Sequence, residues 1–340
     1  MKALTLVDVK KFQMIEKDIP VATGNKVVIK ISKAGICGSD IHMVWATGYG
    51  AGKNFVIGHE FSGVISDAGN SSTFKVGDRV VAMEIDSCLN CDYCNSGHEN
   101  LCDHVLDGGP GIGTDGGYEQ YVAVREDMVR HVPDSVSDVA AAMVEPTAIS
   151  LHGVNLANVG NGTNVLITGA GAIGLFAAAC AHAKGAKVTI SEANPKRVEI
   201  AQNSGFVDYA LNAMDANLEE NLKKIAPAGF DAVIECSGNK TASTTGLNNL
   251  RKGGNMVLIA YGEQPDINLL NFVNNECHLS GSIFFTRKEF EDVINMMAEG
   301  KINVEPFAKI IKLEDVQQTL ENLEAGIENE IKYVIDMNQE

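Results

Sequence analysis

The turn after residue 168 constrains the fold of this chain more than any other segment. An apolar run, Asn164 to Thr168, is followed by Gly169-Ala170-Gly171-Ala172-Ile173-Gly174 and by an alanine-rich stretch that ends at Lys184. This order predicts a strand, a glycine-rich turn and a helix. In a G-x-G-x-x-G turn the glycines permit the tight turn, the approach of the backbone to a pyrophosphate, and close helix–strand packing. The residues predicted to bind a dinucleotide here are Gly169, Gly171, Ile173 and Gly174.

The alternation that begins at this turn continues along the chain. Apolar segments at residues 187–191, 230–235 and 255–260 alternate with helical stretches. One of these helices opens at Pro195, a residue preorganised for the first helical turn. Strand–helix alternation at this spacing is typical of βαβ units, in which helices cover both faces of a parallel sheet. The predicted fold class is therefore α/β, with a doubly wound parallel sheet.

An acidic residue at the end of the second strand bears on the choice of dinucleotide. Glu192 follows Gly169 by 23 residues. A carboxylate at this place can accept hydrogen bonds from the adenosine ribose and would repel a 2′-phosphate, which favours NAD over NADP. Arg197 is the second candidate cofactor contact: its side chain either turns towards a phosphate or lies along its helix face.

The first 150 residues have a different pattern. Short segments with the period-two alternation of half-buried strands begin at Lys26, Phe61 and Asp78, and long helical periodicity is absent before Asp138. We predict a β-rich, barrel-like unit here. Beyond residue 285 the pattern predicts two helices and a last strand, at residues 288–298, 313–325 and 332–335.

Four cysteines lie within fifteen residues, in the pattern C-x2-C-x2-C-x7-C: Cys88, Cys91, Cys94 and Cys102. Thiolates at these spacings can surround one tetrahedral zinc ion, with Zn–S distances of about 2.3 Å. Disulfides are the first alternative, but nothing in the sequence is typical of a secreted protein. An iron–sulfur cluster is the second, but the long last gap and the missing Cys-Pro fit it poorly. We predict a structural zinc site.

Charge and hydropathy disfavour several classes of partner and of cellular location. The chain has 44 acidic and 27 basic residues and a net charge of −17, which disfavours nucleic acids and anionic membranes as partners. The N-terminal segment lacks the apolar region of a signal peptide, and no apolar run approaches the length of a membrane span. These features predict a cytoplasmic protein, in which cysteines bind metal or pack in the core.

Three separated segments together predict a second metal site. They are Cys37-Gly38-Ser39-Asp40-Ile41-His42, Gly58-His59-Glu60 and Val144-Glu145-Pro146. Together they supply one thiolate, one imidazole and carboxylates, which is the ligand set of a catalytic zinc with an open position. Each segment alone has ordinary explanations, such as a core cysteine or a surface His-Glu pair.

With these motifs the chain resembles the zinc-dependent medium-chain dehydrogenases of the sorbitol, butanediol and threonine dehydrogenase group. The resemblance covers essentially the whole chain and also includes Val76-Gly77-Asp78-Arg79-Val80. It implies a GroES-like catalytic domain (residues 1–150 and 286–340) interrupted by a Rossmann dinucleotide-binding domain (residues 151–285), with the active site in the cleft between them. It also implies one catalytic and one structural zinc, NAD as cofactor, and a homodimer or homotetramer.

The resemblance assigns roles residue by residue. Cys37 and His59 would be ligands of the catalytic zinc, and either Glu60 or Glu145 would be the third. Ser39 would accept a hydrogen bond from the substrate hydroxyl and pass its proton through the cofactor ribose to His42. The implied reaction is hydride transfer between NAD and a secondary alcohol, a polyol or a vicinal diol.

Two other functions stay open. Threonine-type amino-alcohol oxidation is one, although threonine dehydrogenases have Asp-Pro where this chain has Glu145-Pro146. A non-catalytic NAD-binding sensor that keeps the structural zinc is the other, although the intact predicted site argues against it. Trp45 and Tyr49 would line the substrate pocket or pack in the core. The glycine-rich residues 107–117 are interpreted as a flexible connection rather than a phosphate loop.

Overall fold

The computed structural model describes residues 1–41, 55–263, 265–327 and 329–339. His42, Trp45 and Tyr49 lie outside these ranges. The chain divides into two compact units. The discontinuous unit joins Met1–Glu145 to Thr286–Glu340, and the inserted unit is Pro146–Phe285.

The bounds of the elements follow in chain order. The described strands are β1 (Lys2–Asp8), β2 (Lys11–Glu16), β3 (Lys26–Gly35), β4 (Phe61–Asp67), β5 (Arg79–Ala82), β6 (Tyr121–Arg125), β7 (Val129–His131), β8 (Asn164–Thr168), β9 (Lys187–Glu192), β10 (Tyr209–Asn212), β11 (Phe230–Glu235), β12 (Leu250–Leu258), β13 (His278–Gly281), β14 (Ala308–Ile311) and β15 (Lys332–Asp336). The described α-helices are α1 (Asp92–Asn95), α2 (Asp138–Ala142), α3 (Val144–Leu156), α4 (Ala172–Ala183), α5 (Pro195–Gln202), α6 (Leu218–Ile225), α7 (Lys240–Asn248), α8 (Leu269–Asn274), α9 (Arg287–Ala298) and α10 (Val316–Glu324).

The inserted unit contains a parallel sheet. Within the described residues it has six strands in the order β10-β9-β8-β11-β12-β13, and every neighbouring pair is parallel. The order reverses beside β8, the strand that leads into the glycine-rich turn. Apolar side chains of the strands and of α6, such as Leu166, Val233 and Leu222, share one buried cluster. This sheet confirms the predicted doubly wound fold class.

The discontinuous unit is built mainly from antiparallel pairs. Its larger sheet, as far as the structure describes it, has the order β14-β15-β3-β4-β5-β7, and β6 also pairs with β3. The last strand, β15, is antiparallel to β3, with Val334 opposite Gly35. The C-terminal segment therefore completes a sheet that begins near the N-terminus. This β-rich architecture matches the expectation for the first part of the chain.

Helix starts follow local chemistry. The Asn194 side chain accepts a hydrogen bond from the Lys196 N–H just before Pro195 opens α5. Thr286 and Glu289 form a capping box at α9, which satisfies two otherwise unpaired N–H groups. None of the helices in the described ranges has both the length and the apolar character needed to cross a membrane.

Candidate metal centres and dinucleotide turn

The four clustered cysteines come together in one lobe. Their four Sγ atoms lie within 4.8 Å of one another. The Sγ of Cys94 is 3.5 Å from that of Cys91 and 3.9 Å from that of Cys88. The backbone N–H groups of Cys88 and His104 approach the Cys102 sulfur at 3.3 and 3.4 Å. Such N–H groups stabilise a thiolate, the form of cysteine that binds a metal.

The thiols of this lobe differ in proton affinity. Backbone N–H groups of Asn90 and Cys91 lower the pKa of Cys88 to about 6. Burial, together with Cys91, raises the pKa of Cys94 to about 12. Four thiols this close cannot all ionise without a cation among them, because like charges disfavour each other. All eight cysteines lie in described segments and are free thiols, so the four donors fit a tetrahedral zinc.

A second group consists of Cys37, His59 and Glu60, whose ligand atoms also lie within 4.8 Å of one another. Cys37 follows the end of β3, and the other two precede β4. Because these two strands are antiparallel neighbours, the two loops lie at the same edge of the sheet. The Gly35 N–H donates to the Glu60 carbonyl at 2.7 Å, and a side chain on Gly35 would overlap the Glu60 carboxylate. Gly35 therefore allows the close approach that brings these side chains together.

A lysine from the last strand pairs with Glu60. Lys332 and Glu60 are 3% and 0% exposed. The lysine Nζ donates to Glu60 Oε1 at 2.5 Å and to the Ile36 carbonyl at 2.9 Å, and it also pairs with Oε2. Burial opposes the ammonium charge, but Glu60 and Cys37 outweigh it and raise the pKa of Lys332. No local sequence pattern indicates this pair, because 272 residues separate its members.

Asp40 faces two of the predicted ligands. Its Oδ2 accepts the Cys37 N–H at 2.8 Å, and its Oδ1 lies 3.9 Å from His59 Nδ1. Burial opposes protonation of His59, but Cys37, Asp40 and Glu145 outweigh it and raise its pKa well above the usual value. The imidazole therefore lies in a strongly negative field, which a bound cation would neutralise.

Two further buried carboxyl groups belong to this field. Glu145 and Glu84 are 3% and 1% exposed. Burial raises the pKa of Glu84 to about 7, and burial together with Glu84 raises that of Glu145 well above its usual value. Buried carboxylates are costly unless they are paired or coordinate a metal, so this donor set fits a divalent cation. Glu84 was missed; the available signal was an acidic residue directly after the apolar run of β5.

The glycine-rich residues expected to be a flexible connection are packed tightly, and that expectation was wrong. In this glycine segment (residues 108–117), the N–H groups of Gly116 and Gly117 donate to the carbonyls of Val56 and Gly58 at 2.9 and 2.5 Å. A Cβ on Gly111 would lie 2.8 Å from the backbone nitrogen of His59. A Cβ on Gly109 would overlap the Glu84 carbonyl. The glycines thus allow backbone to lie directly against the loops that carry His59 and Glu84.

Of the two predicted proton-relay residues, Ser39 lies within the described part of the chain. Ser39 is half-buried and lies on the Cys37 loop, two residues after that cysteine. His42 falls outside the described residues.

The predicted dinucleotide turn has distinct roles for its glycines. Gly169 has φ +97°, a conformation that side chains rarely adopt. A Cβ on Gly174 would overlap the Gly169 carbonyl, whereas the space around Gly171 is open. Gly171 is the N-cap of α4, so unpaired helix N–H groups lie beside that open space. Ile173 is half-buried, and its carbonyl accepts the Ser150 hydroxyl at 3.0 Å.

Glu192 lies at the carboxyl end of β9, beside this turn. Its two oxygens accept the N–H groups of Ala170 and Asn194, each at 2.7 Å. These bonds hold the carboxylate against the turn. Arg197 is half-buried in α5, and its buried Nε has no hydrogen-bond partner among the described residues.

Residues after the neighbouring strand β11 were not predicted. Glu235 accepts the N–H groups of Ser237 and Gly238 at 2.8 and 3.0 Å, and also the Ser237 hydroxyl. A Cβ on Gly169 would lie 3.1 Å from that of Ser237. This segment therefore borders the glycine-rich turn. The signal in the sequence was its position at the carboxyl end of a strand next to β8.

Two family models match the chain. The alcohol dehydrogenase GroES-like domain matches residues 23–134, and the zinc-binding dehydrogenase family matches residues 172–299. The first model covers the loops of Cys37, His59 and the four cysteines. The second begins inside the glycine-rich turn.

Similar proteins cover most of the chain. A sorbitol dehydrogenase from Halalkalibacterium halodurans is 35% identical over 299 residues, or 86% of each chain. An L-threonine 3-dehydrogenase from Rhizobium etli is 32% identical over 336 residues, covering 95% of this chain and 94% of the relative. The crystal structure of an Escherichia coli alcohol dehydrogenase in complex with NADH superposes with a TM-score of 0.90 at 25% identity and covers 99% of both chains.

Proposed function

The chain belongs to the zinc-dependent medium-chain alcohol dehydrogenase family, and from that premise we propose that it transfers a hydride between NAD and a secondary alcohol, polyol or vicinal diol, or the corresponding ketone. The observation that carries this proposal is the group of half-buried Cys37 with buried His59 and Glu60. Three donors of different type in one negative field suit a catalytic zinc, and four thiols suit a structural one.

We propose that Cys37, His59 and Glu60 hold the catalytic zinc. The mutual distances of their ligand atoms support Glu60 as the third ligand, and Glu145 with Glu84 contributes the negative field beside it. Loss of bound zinc in Glu60→Ala, with zinc retained in Glu145→Ala, would support this assignment. The opposite result would make Glu145 the ligand.

The remaining groups handle substrate and proton. When bound, zinc would polarise the substrate oxygen and NAD would accept the hydride. Ser39, on the loop of Cys37, accepts the hydrogen bond of the substrate hydroxyl, and His42 takes up the proton, since an imidazole titrates near neutral pH.

The proposed NAD site lies at the glycine-rich turn of the inserted unit. Gly169, Gly171, Ile173 and Gly174 cradle the pyrophosphate at the start of α4. The fixed carboxylate of Glu192 supports NAD over NADP. Arg197 is proposed as a second contact at the adenosine end. Turnover with NADP alone would contradict the Glu192 argument.

A panel of substrates tests the reaction. NADH formation from sorbitol, 2,3-butanediol and L-threonine would be followed together with the zinc content of the purified chain. Two zinc ions per chain and turnover of polyols or diols support the proposal. Preference for threonine would favour the amino-alcohol reaction of the Rhizobium etli relative. One zinc ion and no turnover of any alcohol would favour an NAD-binding sensor.

We further propose that the chain forms a homodimer or homotetramer through the edge of its parallel sheet. Helix α8 exposes Leu269, Leu270 and Val273 at about 70% each, next in sequence to β13, which ends the sheet order. Exposed apolar residues beside an unpaired strand edge are typical of an association surface. Sedimentation of Leu270→Glu should give a smaller species than the unaltered chain; equal mass would contradict this surface.

We also propose a cytoplasmic location. A four-thiol zinc lobe and four further free cysteines suit a reducing compartment. Fractionation of the cells that produce the chain would test this.

A further inference from the structure

Tyr118 packs against the two loops that carry the candidate metal ligands Cys37 and His59. Its side chain is 0% exposed. Its backbone is held on both sides, because its N–H donates to the Ile57 carbonyl at 3.0 Å and its carbonyl accepts the Leu4 N–H at 2.9 Å. Its ring lies against Gly58, which has φ +95° and no room for a side chain beside the ring. The ring therefore supports the residue that immediately precedes His59.

The Tyr118 hydroxyl reaches the carboxylate that faces the ligands. It lies 2.8 Å from Asp40 Oδ2 and 3.3 Å from the Gly35 carbonyl, and both contacts are buried. The same Oδ2 accepts the Cys37 N–H, and the other Asp40 oxygen faces His59. The tyrosine hydroxyl and the Cys37 N–H thus hold the same Asp40 oxygen, while the other oxygen lies 3.9 Å from His59 Nδ1.

The hydroxyl has the chemistry of a permanent donor. Burial, together with the Asp40 carboxylate, raises the pKa of Tyr118 well above its usual value. It therefore stays protonated, and a hydroxyl that donates to a carboxylate makes a stronger bond than a neutral pair does. Without it, Asp40 would lose one of its buried partners, and its carboxylate would be held by the Cys37 N–H alone.

We propose that Tyr118 is a positioning residue, whose hydroxyl fixes Asp40 and through it holds Cys37 and His59 in the geometry that retains the catalytic metal. The inference rests on the metal centre proposed above. Groups that orient metal ligands in this way change metal affinity by about 10- to 100-fold when they are removed. The role belongs to the hydroxyl and not to the ring, which packs on Gly58.

Tyr118→Phe separates the two parts of the side chain, because the ring remains. Zinc release from the holoenzyme to a chromogenic chelator would be followed in time. A Cys37→Ala variant identifies the phase that comes from the catalytic site. We expect Tyr118→Phe to speed that phase about 10- to 100-fold and to leave the phase of the four-cysteine lobe unchanged. Tyr121→Phe, three residues along in β6, is the matched control and should release zinc like the unaltered chain.

A double-mutant cycle tests whether the effect passes through Asp40. In an Asp40→Asn background, adding Tyr118→Phe should change the release rate less than twofold. Cobalt-substituted Tyr118→Phe should also show a shifted visible absorption band, which a change in general stability would not produce.

Three outcomes would overturn the inference. They are an unchanged release rate in Tyr118→Phe, equal acceleration of both zinc phases, and full additivity with Asp40→Asn. A single zinc ion per unaltered chain, bound only by the four cysteines, would instead remove the proposed metal centre itself, and the inference with it.

Discussion

At the scale of single residues, the buried ammonium of Lys332 supplies a counter-charge to the candidate centre. It pairs with both oxygens of Glu60, and neither side chain reaches water to any useful extent. Removing one member of a buried pair leaves the other without compensation, which costs about 3–5 kcal/mol. Breaking the pair is therefore costly, and the lysine also holds Glu60 in place.

We expect Lys332→Met to lower the stability of the metal-free protein by about 3–5 kcal/mol, because Glu60 would remain buried without its partner. The metal-free form is the informative one, since bound zinc would itself neutralise Glu60. Urea unfolding would measure the loss, and adding Glu60→Gln should restore most of it. Lys33→Met is the control: its partner Asp336, at 2.7 Å, belongs to the same strand pair, but the two side chains are 14% and 15% exposed, so its loss should cost clearly less than that of Lys332. Equal losses would contradict the special role of Lys332.

Glu119 makes the stability of the protein depend on pH. Burial raises the pKa of Glu119 to about 7, even though Lys17 lies 3.0 Å away and opposes the shift. The folded chain then binds more protons than the unfolded chain between about pH 4.5 and 7, so this group destabilises the fold as the pH rises through that range.

We therefore expect the free energy of unfolding of Glu119→Gln, relative to that of the unaltered chain, to increase by about 3 kcal/mol between pH 5 and pH 8. Unfolding midpoints at both pH values would measure it, with Glu314→Gln, an exposed charge loss, as control; the same pH dependence in all three chains would contradict it.

Among the elements, the glycine segment (residues 108–117) tolerates added volume poorly. A Cβ on Gly116 would overlap backbone atoms of Gly111 and Gly58, and backbone cannot turn away as a side chain can. Overpacking of this kind costs about 1–3 kcal/mol or more.

Gly116→Ala should therefore lower the thermal midpoint and weaken zinc binding by the Cys37 group, because it displaces the loop of His59. Gly160→Ala is the control, since a Cβ there meets nothing within 4 Å; it should be neutral or slightly stabilising. Calorimetry and zinc analysis would compare the two. Normal zinc content in Gly116→Ala would show that the segment does not position His59.

The elements also show what the sequence can predict. The glycine-rich turn, the four-cysteine lobe and the long strands of the inserted unit were predictable, because their signals lie within about twenty neighbouring residues. The four-residue strands β10 and β14 carry too short a pattern to stand out. Tyr118 and Lys332 acquire their roles only through partners 78 and 272 residues away, which no local pattern records. In a sequence, glycines that allow close packing cannot be told from glycines that allow motion. This explains the wrong interpretation of residues 107–117.

For the whole molecule, the four-cysteine lobe is predicted to act on stability and assembly and not on the reaction. All four positions around its metal would be filled by sulfur, which leaves no place for a substrate. Cys91→Ala should lose one zinc ion per chain and lower the thermal midpoint or the oligomer size, whereas the second zinc should remain. Metal analysis, calorimetry and sedimentation would test this, with Cys277→Ala as a cysteine outside the lobe. Unaltered stability and assembly would contradict it.

The strand that supplies Lys332, β15, is made long after the loop of Glu60, and this has a consequence for synthesis. Glu60 leaves the ribosome 272 residues before its partner. At about 5–20 residues per second, that interval lasts roughly 15 to 55 s. During this time the whole inserted unit is made and can fold, while the sheet beside β3 still lacks β15. Through that interval Glu60 has no Lys332 to pair with, so the buried charge pair beside the candidate metal centre forms only after β15 has been made.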